Sequence, residues 1–127
     1  MRNPSHPGLI YSGKRDRAGF AIVRVDETVL SPKQAAAIYA GAPDGFEWGY
    51  DGSGPRLLAL ALLYDYLADA DQALSYCAGF FREVVGKFAR EKDWSLSGEE
   101  IEAALARIAP GELPPRPLAI SRPRIIG

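Results

Sequence analysis

A chain of 127 residues, 47% hydrophobic and 24% charged, has the size and balance of one ordinary globular domain, which excludes a wholly disordered polymer and two full domains. Its single cysteine, Cys77, and single histidine, His6, exclude an internal disulfide, a cysteine-rich zinc site and an imidazole-based metal centre, and no cofactor is expected. The formal net charge of −1 exerts no global attraction on nucleic acid.

In chain order, residues 9–12 are β-prone, and residues 13–18, polar and containing Gly13, read as a turn. Phe20 to Val25 alternates as a strand. Asp26-Glu27 separates it from Thr28-Val29-Leu30 with the spacing of a two-residue hairpin. Ser31-Pro32-Lys33-Gln34 predicts a helix start, with Ser31 as cap, Pro32 at the first position and Gln34 completing a capping box. Gly41 ends that short helix, and Ala42 to Gly45 is turn chemistry.

Gly45 to Tyr50 reads as the next strand, with Phe46, Trp48 and Tyr50 on one face and Glu47 on the other. Asp51-Gly52-Ser53-Gly54 is a flexible loop, and Pro55 opens a helix to about Leu67. Its apolar run from Leu57 to Tyr64 predicts burial on every side. A further helix follows, with Asp71 as its predicted cap and Asp69 also placed to cap. Leu74, Cys77, Phe80, Phe81, Val84, Val85 and Phe88 fall at helical spacing on one of its faces. Trp94-Ser95-Leu96 is a short extended piece. Ser97 and Glu100 form a second capping box, and Ile101, Ala104, Leu105 and Ile108 stripe the last helix.

These elements add up to an α+β domain: a small antiparallel sheet packed against two or three helices. The domain spans residues 1–109. A basic tail follows over 110–127, whose five prolines favour extended or polyproline backbone. The polar N-terminus carries no secretory h-region, and the apolar run is too short to span a bilayer, so a cytoplasmic protein without membrane contact is expected.

Charge is unevenly spread. Residues 1–24 carry five basic groups against Asp16 alone, and residues 113–127 carry Arg116, Arg122 and Arg124 with no acid. Basic ends on an acidic body suit phosphates or an acidic partner surface, although solvated ends of this kind also serve solubility alone.

Phe46 to Pro55 is the most unusual stretch. A strand, a glycine loop and a helix start can cradle an anion, because free amides at a helix N-terminus point at the ligand. Ser53 would add a hydroxyl, Arg56 a cation, and Trp48 and Tyr50 flat faces for stacking. With Asp51, Gly52 and Gly54 these are the candidate binding residues of the body. The stretch is neither a P-loop nor a dinucleotide fingerprint. Pro55 removes an amide, and Asp51 would repel an anion. The structural alternative is a tight turn with glycines at positive φ and the aromatics in the core.

Carboxylates stand near the loop (Asp44, Glu47, Asp51) and at the helix junction (Asp65, Asp69, Asp71), but acid–base chemistry needs them to converge in a cleft. With no histidine in the domain there is no Ser-His or Cys-His pair, and no catalytic residue is assigned. Cys77 on the apolar face of its helix is expected to be a small core residue.

Phe46-Glu47-Trp48-Gly49-Tyr50, Gly52-Ser53-Gly54-Pro55 and Leu58-Ala59-Leu60-Ala61, with Phe81 to Val85 and Trp94 to Ser97 further on, resemble a family of short uncharacterised proteins of bacteria, archaea and phages. The resemblance covers roughly residues 9 to 109 and centres on a W-G-Y-x-G-S-G-P core. The family usually has glycine where this chain has Asp51, and an irregular link in place of the Ser31–Gly41 helix. The resemblance implies a mobile-element setting, with a role in binding or inhibiting a host complex, and no defined activity.

The leading expectation is a non-enzymatic module acting on a macromolecular partner, either another protein or a second copy of itself. A small anionic or nucleotide-like ligand on the glycine loop is the alternative, and a carboxylate enzyme comes last. Nucleic acid is not favoured as partner. Leu118, Ile120, Ile125 and Ile126 give the tail apolar anchors beside its arginines, so it is expected to dock on an acidic, partly apolar surface.

Overall fold

The computed structural model describes residues 9–108. Arg116, Arg122, Arg124 and the rest of the proline-rich tail lie outside the described residues.

The fold is α+β, as expected. Strands β1 (Ile10–Arg15), β2 (Ala21–Val25), β3 (Thr28–Val29) and β4 (Trp94–Ser97) form one antiparallel sheet in the order β3-β2-β1-β4. Helices α1 (Lys33–Ala36), α2 (Ser53–Leu67), α3 (Ala70–Glu83) and α4 (Gly98–Arg107) complete the architecture. The pleat sends alternate residues to opposite faces. The register aligns Tyr11 with Val25 and Leu96, and Gly13 with Val23 and Trp94, and all six are buried beneath the helices. Ile10 and Lys14 are exposed on the other face.

The β2–β3 hairpin has the expected two-residue loop, and Asp26 takes the positive φ of 54° that such a loop needs. Its carboxylate accepts the Ile10 amide at 3.0 Å. The turn expected over residues 13–18 is displaced. β1 runs on through Gly13 to Arg15, and the reversal falls at Asp16–Phe20, where the Asp16 side chain accepts the amides of Ala18 and Phe20 at 2.9 Å. Gly13 belongs to the strand because the Trp94 indole lies on it: a Cβ there would stand 2.4 Å from the ring.

Two helix starts also shift. Ser31 accepts the Lys33 amide at 3.1 Å, but the regular helix α1 lasts only four residues. It tightens into i→i−3 bonds at Ile38 and Tyr39 before Gly41 reverses the chain at φ 73°. Asp69, not Asp71, caps α3: the helix begins at Ala70, and the Asp69 side chain accepts the Gln72 amide at 3.0 Å. α3 stops at Glu83, where Val84 leaves helical φ/ψ, so Val85 lies in a separate 3-10 turn, Val85–Lys87. The Ser97–Glu100 capping box on α4 is present in both directions.

α2 is the axis of the core. Leu57, Leu58, Leu60, Leu62 and Leu63 are at most 2% exposed, each contributing roughly 1.5–3 kcal/mol by burial. α3 packs along α2, α1 and the 3-10 turn touch it, and the Tyr11 hydroxyl donates to Asp65 at 2.7 Å to join it to the sheet. A single chain therefore covers this helix. At its far end the Tyr66 hydroxyl donates to Glu102 on α4 at 2.6 Å. Burial, and then that hydrogen bond, push the Tyr66 pKa up to about 12. Ala68 ends α2 in the left-handed region.

Candidate functional site

The segment expected as a strand over Gly45–Tyr50 is not one. It pairs with none of the strands β3, β2, β1 and β4 that make up the sheet, and a segment without a strand partner makes no ladder hydrogen bonds. Phe46 and Trp48 still turn inward, at 6% and 0% exposed. Gly49 then adopts φ 97° and throws Tyr50 outward, 41% exposed. No side chain fits at Gly49: a Cβ would stand 2.3 Å from the Arg90 Cα.

The buried half of the segment is clamped from two sides. The Trp48 indole N–H donates to the Lys92 carbonyl at 3.2 Å, and its ring meets Trp94 edge-on, centroids 5.7 Å apart. Trp94 in turn stacks on Phe88 at 4.6 Å. From β1, the Arg15 guanidinium lies 4.5 Å from the Trp48 ring centre, pairs with Glu47 at 2.9 Å, and donates to the Arg90 carbonyl at 3.2 and 3.3 Å. Arg90 extends over the Tyr50 ring at 5.2 Å. Three stretches far apart in sequence thus meet at one end of β1. Trp48, wholly enclosed here, has no face left for a ligand.

The glycine loop begins α2 two residues earlier than expected. Gly52 is the N-cap with extended backbone, φ −172°, and Pro55 lies within the first turn, where its missing amide is not needed. The tight-turn reading places glycines at positive φ; of those in this stretch Gly49 takes it, and Gly52 is extended. Asp51 and Arg56 are not separate charges. They form a two-pronged ion pair at 2.9 and 3.2 Å, and the guanidinium rests 4.5 Å from the Phe81 ring centre. The hydrogen bonds that Arg56 donates to Asp51 raise its already high pKa. Neither group is left as a lone charge for a ligand.

Beside this helix start lies an open cleft of about 480 Å³. Its walls include Phe20, Asp44, Phe46, Glu47, Tyr50 and Ser53. Phe20 is 69% exposed. Asp44 is exposed and has no hydrogen bond or ion pair among the described residues. The charged walls of the cleft are therefore carboxylates. Of the body residues singled out in the sequence, Tyr50, Ser53 and Gly54 line it; Trp48 does not, and Asp51 and Arg56 are tied to each other.

The sequence reading missed Phe20 and Arg15. Phe20 carried one signal: Val23 and Val25 face inward, and Ala21 continues that parity, so Phe20 is out of phase with the core. Arg15 carried none, because its partners are 32 to 75 positions away and only the fold joins them.

A family model described as a family of unknown function, DUF6166, matches residues 11–107. The chain belongs to that family. No curated protein and no solved structure matches it. The expectation of an uncharacterised family spanning most of the chain is met in that coarse form.

In this DUF6166 member no group of three or more metal-ligating side chains gathers among the described residues. Likewise, no described helix is long and apolar enough to cross a membrane. Cys77 is mostly buried beside α2, its Sγ 3.9 Å from the Arg56 carbonyl. Burial pushes its thiol pKa up to about 11, which keeps it a poor nucleophile.

Proposed function

We propose that the protein is a non-enzymatic binding module whose cleft beside α2 receives a cationic, partly apolar segment of a macromolecular partner. One observation carries this reading: two exposed aromatic rings, Phe20 and Tyr50, flank an open cleft in which Asp44 is the carboxylate without a partner among the described residues, Glu47 being paired with Arg15. Aromatic rings supply contact area at low entropic cost, and Phe20 can attract a cation over its face, while Tyr50 already carries Arg90. A carboxylate beside them with no partner among the described residues, Asp44, selects a guanidinium or ammonium over a phosphate. A phage or mobile-element factor that seizes a host complex, the setting the resemblance implies, is one relationship of this kind. A cytoplasmic location belongs to the same proposal, supported by the lone unpaired thiol.

The small-anion alternative has one feature in its favour: the first turn of α2 has no side-chain cap. The acidic cleft wall and the engaged Arg56 oppose it.

The test is a peptide library screened against the full chain and its Asp44→Lys variant. Basic peptides with an aromatic or aliphatic neighbour should be selected, and Asp44→Lys should weaken them by about tenfold, the loss of one charge-assisted contact. Selection of acidic peptides, or binding indifferent to Asp44, Phe20 and Tyr50, overturns the proposal. Nucleotide binding by the same chain would favour the alternative.

A further inference from the structure

We infer that the outward face of the sheet is a second interface, which receives an acidic, aliphatic segment of a partner protein. This face shares no residue with the cleft beside α2, and the inference does not depend on how that cleft is read.

The strand register defines the face, because directly opposite residues of neighbouring strands lie on the same side of a sheet. Arg24 is aligned with Ser12 on one side and Val29 on the other, Ser12 with Ser95, and Lys14 with Ile22. The intervening positions Tyr11, Val23 and Val25 are the buried ones, so the first set looks away from the helices. The outward side of an antiparallel sheet is ordinarily polar. Here it carries three β-branched aliphatics: Ile10, 43% exposed, Val29, 58% exposed, and the partly buried Ile22. They surround Arg24. Val29 is its cross-strand neighbour, and Ile22 stands two residues before it on β2. Ile10 is its diagonal neighbour, at roughly the 7–8 Å that a long side chain reaches across.

Charge then selects the occupant. No strand residue of this face is acidic, and its charged residues are Arg24 and Lys14. Neither has a hydrogen bond or ion pair among the described residues. Asp26, next to β2, is turned instead to the Ile10 amide at 3.0 Å. An arginine ringed by aliphatic side chains is the build of an interface hot spot: the ring excludes water, and the guanidinium takes a carboxylate by two parallel hydrogen bonds. A second copy does not fit. A two-fold dimer sets this face against itself, where Arg24 and Lys14 meet only cations. Nucleic acid does not fit either. No strand residue of this face is aromatic, so bases have nothing to stack on, and two cations neutralise few phosphates. A segment with isoleucine, valine or leucine beside its glutamates or aspartates matches both the charge and the apolar ring.

The experiment is a nitrogen-15 NMR titration of the full-length chain with short peptides in which glutamate alternates with isoleucine. Matched peptides carry glutamine or lysine in place of glutamate. The glutamate peptide should shift the amides of Ile10, Ser12, Lys14, Ile22, Arg24 and Val29. The glutamine peptide should bind there about tenfold more weakly, and the lysine peptide should miss this face. Arg24→Glu should reverse the preference from the glutamate to the lysine peptide, which a mere loss of local structure would not do. Val29→Ser, on the exposed edge strand, should weaken the glutamate peptide with the rest of the spectrum unchanged, and it decides the matter if Arg24→Glu does not fold. Equal binding of all three peptides at this face overturns the inference, as do shifts confined to other residues or the absence of a reversal in a folded Arg24→Glu variant. Concentration-dependent shifts of these amides with a doubled tumbling time place a second copy here, and stronger shifts from oligothymidylate place nucleic acid here; either overturns it. If basic peptides shift Phe20 and Tyr50 while the glutamate peptide leaves the sheet unmoved, this inference fails and the proposed function stands.

Discussion

Gly13 on β1 lies flat beneath the Trp94 indole of β4, so close that a Cβ would stand 2.4 Å from the ring. The ring has no room to retreat, since it stacks on Phe88 and abuts the edge of Trp48. Gly13→Ala should therefore destabilise by about 1–3 kcal/mol, the usual cost of overpacking. Urea unfolding measures it, and tryptophan fluorescence should shift because both indoles must move. An unchanged midpoint would show that the β1–β4 seam is looser than described.

The turn after Trp48 makes a sharper comparison. Gly49→Ala meets both a positive φ and the Arg90 backbone. The combined loss should be about 2–5 kcal/mol. At Gly52 the φ is extended, and the obstacle is only the exposed Tyr50 ring, which can rotate away. Gly52→Ala should cost less than about 1 kcal/mol. Thermal melts of the two variants side by side decide the matter, and the reverse order would contradict the geometry.

At the centre of α2, Leu60 is 2% exposed. Leu60→Ala should cost roughly 2–5 kcal/mol through lost transfer energy and a residual cavity. Because one chain already covers α2, sedimentation should give the same mass for variant and wild type. A change of oligomeric state on truncating Leu60 would mean that the helix is covered by a second copy.

Tyr66 sets an alkaline limit. Its folded pKa, about 12, lies above the ordinary value of 10.0. Above pH 10 the unfolded chain gives up this proton while the folded chain retains it. The stabilisation is therefore complete below pH 10 and drains away as the pH rises towards 12. Tyr66→Phe removes the titration, so the stability gap between wild type and variant should narrow across that window. A gap that stays constant from pH 9 to 12 would contradict the raised pKa.

Much of the fold is legible in the sequence because it rests on local chemistry. The Ser97–Glu100 box needs only residues three apart, the Asp26-Glu27 hairpin only the spacing of two β-prone runs, and the burial of α2 only its unbroken apolar composition. The lone Cys77 and His6 likewise bound the available chemistry before any coordinates. Other features depend on what each segment meets. Phe46 to Tyr50 alternates like a strand, yet strand formation needs a partner strand in register, and this segment instead packs its inward residues against Arg15 and Trp94. The positive φ falls at Gly49 and not at Gly52, and Gly49 is also where an added Cβ would meet the Arg90 backbone. Asp51 and Arg56 cancel as charges once the helix starts at Ser53. The cleft itself joins Phe20 to residues 44–54, and pattern along the chain cannot report on side chains that come together only when the core closes.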